Sequence, residues 1–227
     1  GNTALSGAVW RDGRLARPWF IRVGKGSFPS RLESWLRDLG RREKIGEAIL
    51  ASVVPARDSA IRRLCRRLLG VSCRDLKDCL PPDLVIRYRR PADVGADRLA
   101  NAIGAYRLYG GPAIVVDFGT AITFDVVSGD FEYLGGVIAP GVQISAEALF
   151  RRTALLPTVE IRPPDRVLGE DTVSAIRSGV HFGTLGLVER VARELKKELG
   201  WGRGVKMIAT GGQARASPPR LISTNLG

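Results

Sequence analysis

The stretch "AIVVDFGTAITFDVVSGDFEYLGGVIAPG" (Ala113–Gly141) decides the fold. Four apolar residues, Ala113–Val116, run straight into an acid, Asp117. Gly119 and Thr120 follow, then a second apolar run that ends at a Ser128-Gly129-Asp130 turn and a third run to about residue 139. Apolar runs of this length bounded by Gly and Ser-Gly-Asp signals predict three successive strands. A carboxylate, a glycine and a hydroxyl then stand together at the tip of the most hydrophobic hairpin.

A shorter stretch repeats the plan. Residues 1–15 read "GNTALSGAVWRDGRL": Gly, a polar residue, Thr, an apolar strand, an Asp12-Gly13 turn and a return strand. Asp-Gly between apolar runs is a strong hairpin signal. Each copy is followed by alternating helix and strand patterns. In the first half helices are predicted over Ser30–Arg42, Asp58–Leu69 and Asp97–Tyr109, with strands at Ala48–Val54 and Leu84–Tyr88. In the second, Gly141–Leu155 and about Thr172–Leu199 read as helices, and Val205–Ala209 as a strand ending in Thr210-Gly211-Gly212. The chain thus reads as two α/β units, residues 1–111 and 112–227, joined near Gly110–Pro112. Ligands of such architectures are expected where the halves face each other.

The composition narrows the function. The chain has 227 residues, 44% of them hydrophobic, which argues against disorder. No apolar run approaches the ~20 residues of a membrane span, and no signal peptide is visible. Cys65, Cys73 and Cys79 have no metal-type spacing and cannot all pair, which points to a reducing cytoplasm. The net charge of +12 comes mostly from arginine. Those arginines are scattered over helices, as at Arg62, Arg63, Arg66 and Arg67, with no aromatic-rich motif. That spread argues against nucleic acid and for a positive field that draws in anionic substrates.

Gly119 lets the backbone approach a ligand, and successive N–H groups at such a turn can hold phosphate oxygens. Thr120 adds a hydroxyl. Asp117 repels phosphate but can hold a cation that neutralises it; the other reading, an acid capping a tight turn, stays open. The "IATGGQA" stretch (Ile208–Ala214) ends a strand in two glycines and leaves a flat surface for a base or ribose. Asp97 opens a helix just after Gly95-Ala96 and is either a cap or a general base, with Arg98 beside it to grip an anion.

Seven motifs in order carry a resemblance: "GNT" at 1–3, "PADVGADRLANA" at 91–102, "VVDFGTAITFD" at 115–125, "LGGVIAPG" at 134–141, "LFRRTALLP" at 149–157, "EDTVSAIRSGV" at 170–180 and "TGGQA" at 210–214. The sequence resembles the type III pantothenate kinases of the actin-like ATPase superfamily. The resemblance implies two ribonuclease H-like domains, a homodimer, and ATP-dependent phosphorylation of pantothenate, the first step of coenzyme A synthesis. It implies Asp97 as proton acceptor and Tyr88, Gly95, Ala96, Asp97, Arg98 and Thr172 as the pantothenate site. Gly1, Asn2, Thr3, Gly119, Thr120, Gly211 and Gly212 would face ATP and its Mg2+, and Asp117 would hold a monovalent cation, potassium or ammonium. The family's first loop reads Asp-x-Gly-Asn-Thr, whereas this chain starts at Gly1, so the first strand is expected to be truncated. The alternative function is a catalytically weak relative acting as a regulatory or transcriptional accessory protein.

Overall fold

Asp12 and Gly13 both adopt positive φ, 48° and 76°, in the computed structural model, which describes residues 3–23, 28–152 and 156–212. Two left-handed residues in succession match the twist of a tight hairpin, and they fold β1 (Ala4–Arg11) back onto β2 (Arg14–Arg22). Two helices follow, α1 (Phe28–Arg42) and α2 (Pro55–Leu69), with β3 (Ala48–Leu50) parallel to β4 (Cys73–Asp75). Ile21, Leu32, Leu36, Leu50, Ile61, Cys65 and Cys73 form one buried cluster among these elements.

Two sequence expectations shorten or lengthen here. Only Ala48–Leu50 of the predicted Ala48–Val54 strand pairs. Ser52 Oγ accepts the Val54 N–H at 3.1 Å, and Pro55 then opens α2 three residues before the predicted Asp58. Proline suits the first helical position because its missing N–H has no partner there. Gly70, at φ 73°, ends α2 in the left-handed cap typical of glycine.

The helix α3 (Ala96–Tyr109) follows a short 3-10 turn at Pro91–Asp93. The residues gather into two compact units: Gly1–Pro82 with Gly95–Ala100, and Asp83–Val94 with Asn101–Gly227.

The second unit is built on a five-stranded mixed sheet. Its strands are β5 (Val85–Ile86), β6 (Ala113–Phe118), β7 (Ala121–Val127), β8 (Glu132–Pro140) and β9 (Lys206–Thr210), in the order β5-β8-β7-β6-β9. The three predicted strands of the opening stretch are β6, β7 and β8, joined antiparallel, while β9 runs parallel to β6 and β5 parallel to β8. Two helices complete it, α4 (Val142–Arg152) and α5 (Thr172–Glu198). Of the predicted 141–155 helix, residues 153–155 lie outside those described. Among the described residues no helix is long and apolar enough to cross a membrane.

Side chains alternate across a sheet. Ile114, Val116 and Phe118 of β6 and Ile122, Phe124 and Val126 of β7 therefore share one face, packed with Val188, Leu187, Val191 and Leu195 of α5. Each such burial stabilises by about 1.5–3 kcal/mol. The opposite face carries Val115, Asp117, Thr123 and Asp125, with Asp117 opposite Thr123 and Val115 opposite Asp125.

A bulge changes this pattern in β8. The pairing passes from Val126–Gly135 to Val127–Tyr133, skipping Leu134, and Gly135 takes φ 124°. Positive φ at a bulge favours glycine. Leu134 consequently joins the α5-facing cluster, and Tyr133 turns to the Asp125 side.

Candidate active site

Asp125 is a carboxylate on the middle strand with no solvent exposure. A buried charge is tolerated only with hydrogen-bonding partners. Tyr133 donates its hydroxyl to Asp125 Oδ1 at 3.1 Å. Asn101 of α3 donates Nδ2–H to Asp125 Oδ2 at 3.3 Å, and the Thr123 hydroxyl lies 3.5 Å from the same oxygen. The Asn101 amide also donates to Asp117 Oδ2 at 3.1 Å. One side-chain amide thus joins two carboxylates on one face of the sheet.

The other Asp117 oxygen faces the end of β9. A methyl group built on Gly211, at φ 98°, would collide with Asp117 Oδ1 and stand 2.6 Å from the Phe118 carbonyl oxygen. Glycine leaves that space to a carboxylate oxygen and a main-chain carbonyl oxygen, the hard donors that alkali and alkaline-earth cations take. Among the described residues no three His, Cys, Asp or Glu side chains gather as a metal-binding group. Asp117 Oδ1 and the Phe118 carbonyl oxygen are the donors that could hold a cation there.

Gly119 and Thr120 form the β6–β7 connection, closed by Gly119 N–H to Ala121 O at 3.1 Å. Their carbonyls press on Gly141, immediately before α4: a Cβ there would meet Gly119 O at 2.7 Å and Thr120 O closer still. Gly141 thus lets the start of α4 pack directly on the Gly119–Thr120 turn.

Tyr88 stands beside the β8 bulge, its ring 3.5 Å from where a Gly135 Cβ would be and 6.2 Å, centroid to centroid, from the Tyr133 ring. Thr172 is the first residue of α5. Asp171 caps that helix: it accepts from Ser174 N–H and Oγ–H, and these bonds hold its carboxyl below the usual range. Thr172 also borders an apolar cleft of about 640 Å³ lined by Leu149, Leu156, Ile176, Val180 and Leu187.

In the first unit, Gly95-Ala96-Asp97-Arg98 forms the start of α3. Asp97 is half-buried, and its Oδ1 accepts the Arg98 N–H at 2.8 Å. A Cβ on Gly95 would sit 2.6 Å from that same oxygen, so glycine is what admits this carboxylate conformation. The Arg98 side chain is buried. Thr3 lies just before β1, its carbonyl accepting from Val23 N–H at 2.8 Å. Gly1 and Asn2 fall outside the described residues, while Gly212 directly follows Gly211 within them.

Asn101, Asp125 and Tyr133 were not singled out from the sequence. A signal existed for Asp125, since period-two alternation in "ITFDV" places it on the face of Asp117. Tyr133 could not be read this way, because the bulge breaks the alternation.

The fold and the site define a class of α/β proteins in which the polar face of a mixed sheet sets carboxylates beside glycine-lined turns. Within it, the family model for type III pantothenate kinase matches residues 1–194, and the chain belongs to that family. It is 49% identical over 164 residues to the type III pantothenate kinase of Koribacter versatilis, covering 72% of this chain and 59% of that relative. It is 40% identical over 220 residues to the type III pantothenate kinase of Desulfosudis oleivorans, covering 94% of this chain and 86% of the relative. The chain therefore spans only about three-fifths of the first relative's length. A crystal structure described as a Baf family transcriptional activator from Campylobacter jejuni shares the fold, with TM-score 0.52 at 19% identity over 88% of this chain and 77% of that one.

Proposed function

We propose that the protein carrying this chain phosphorylates pantothenate with ATP, the first step of coenzyme A synthesis. The observation that carries the reading is the Asp117 carboxylate, set between Asn101 and the glycine turn at Gly211, in a chain that belongs to the type III family. The substrate hydroxyl oxygen forms a bond to the γ-phosphorus as the bridging oxygen–phosphorus bond to ADP breaks. The hydroxyl proton passes to Asp97. Arg98 grips the pantothenate carboxylate, with Tyr88, Gly95, Ala96 and Thr172 completing that site. Thr3, Gly119, Thr120, Gly211 and Gly212, with Gly1 and Asn2, approach the nucleotide. Asp117 and the nearby carbonyls would hold potassium or ammonium, which offsets phosphate charge, and Mg2+ would accompany ATP.

The same reading takes residues 1–111 and 112–227 as two ribonuclease H-like domains, and the enzyme as a cytoplasmic homodimer. The β8-β7-β6-β9 order, antiparallel then parallel, supports this for the second domain. No observation of its own supports the regulatory alternative.

The test is ADP release by the whole protein with pantothenate, panthenol, glycerol or acetate. Pantothenate is expected to be preferred, and equal activity on acetate overturns the assignment. Asp97→Asn separates base from cap. As the base, its loss lowers kcat roughly 10²–10⁴-fold with an unchanged melting point, because Asn caps a helix about as well as Asp. A wild-type rate reduces Asp97 to its bond with Arg98 N–H.

A further inference from the structure

We propose that Asn101 is a positioning residue, which sets the orientation of the Asp117 carboxylate and so the affinity of the cation site; the proposal rests on reading Asp117 as the cation ligand. Asn101 Nδ2 carries two hydrogens. One bond goes to Asp117 Oδ2 at 3.1 Å, the other to Asp125 Oδ2 at 3.3 Å. Asp125 is buried on the middle strand and is held from its other oxygen by Tyr133 at 3.1 Å. It therefore serves as a fixed anchor for the amide. Asp117 lies further towards the end of β6, paired with Thr123 and Thr210, where the strands run out into the Gly119 and Gly211 turns.

A carboxylate rotates about its Cα–Cβ and Cβ–Cγ bonds. Fixing Oδ2 to the amide fixes where Oδ1 points, and Oδ1 is the oxygen that faces Gly211 alongside the Phe118 carbonyl. The amide supplies a second effect: its two N–H groups stand between two acids that would otherwise meet across the sheet face. Outer partners of this kind typically change metal affinity by roughly 10–100-fold when removed.

A chain of contacts extends from this anchor to the substrate aromatic. The Tyr133 ring, which holds Asp125, lies 6.2 Å from the Tyr88 ring. The same anchor thus borders both the cation ligand and the residue assigned to pantothenate.

The experiment compares wild type and Asn101→Ala in the whole protein by two readouts. The first is the potassium concentration for half-maximal kcat. The second is the rise in melting point on adding potassium chloride without substrates, against choline chloride at equal ionic strength. We expect half-saturation at least tenfold higher and the potassium-dependent melting shift lost, with kcat largely recovered at saturating potassium. Tyr133→Phe keeps the ring and removes one donor to Asp125, and is expected to raise half-saturation in the same direction by a smaller factor. If Asn101→Ala does not fold, an unchanged potassium response in Tyr133→Phe overturns the proposal. A wild type indifferent to potassium in both readouts overturns the reading of Asp117 itself. A potassium-sensitive wild type with an unshifted, folded Asn101→Ala overturns the positioning role alone.

Discussion

Replacing Gly141 with alanine adds one methyl group where the backbone of the Gly119–Thr120 turn already stands. The new Cβ would lie 2.7 Å from Gly119 O, 2.8 Å from the Thr120 carbonyl carbon and closer still to Thr120 O. Ordinary contacts of a Cβ begin at 3.4 Å, so turn and helix start must separate by at least about 0.7 Å. Neither side yields easily. The turn is tied by Gly119 N–H to Ala121 O, and Gly141 O accepts the Ser145 N–H at 2.9 Å as the first bond of α4. Gly141 is not among the positive-φ residues, so the effect is one of space and not of backbone strain. Overpacking of this kind costs about 1–3 kcal/mol. At roughly 2–4 °C per kcal/mol for a chain of this size, the melting point should fall by about 2–12 °C. The displaced turn should also raise KM for ATP more than KM for pantothenate. Calorimetry and steady-state kinetics on the whole protein read both effects. A melting point within about 1 °C of wild type, with unchanged KM for ATP, refutes the close-approach argument.

Gly186→Ala should act in the opposite direction: it lies within α5 with nothing within 4 Å of an added Cβ, and alanine should stabilise the helix by about 1 kcal/mol, read as a higher melting point. In the first unit the Cys65 thiol donates to the Cys73 sulfur, and that bond, with the charge of Arg62, brings Cys73 down to about 7, while Cys65 is pushed up. The depressed Cys73 contributes stability that is present above the ordinary value of 9.0 and is lost as pH falls through about 7. The raised Cys65 contributes stability that is complete below 9.0 and fades above it. The pair's contribution should therefore peak near pH 9. The melting-point gap between wild type and Cys73→Ala should widen from about pH 6.5 to 9, and a constant gap refutes it.

Where a residue's neighbours are close in sequence, its place could be read in advance. The three strands of 113–139, the Asp12-Gly13 hairpin and the long α5 follow from alternation, turn chemistry and helical period, all local properties. Strand ends were misread where a side chain intervenes, as Ser52 does at Val54, or where few pairs form, as at Val85–Ile86. At the site, Asp117 drew notice because an acid at a glycine turn is chemically odd. Asn101 did not, because an asparagine inside a helix has no sequence signature; its meaning lies in two carboxylates 16 and 24 residues away. Asp97 was read as cap or base, and its bond to Arg98 N–H gives the cap a geometric basis without bearing on the base.

The bulge in β8 behaves like a shift of reading frame. Towards Pro140 the strand is read in one phase, with Val137 and Ala139 turned to α5; beyond Gly135 it is read in the other, with Leu134 turned there instead. Pairing the strand straight through, so that Leu134 and not Tyr133 stood opposite Val127, would leave its sequence and hydrophobic composition intact, so no count of apolar residues would register it. Yet it would exchange the roles of two neighbours, sending the Tyr133 hydroxyl towards leucines and valines and setting the Leu134 side chain against a buried acid. In this strand spelling matters less than phase, and a single small residue keeps a polar message in register on an otherwise oily ribbon.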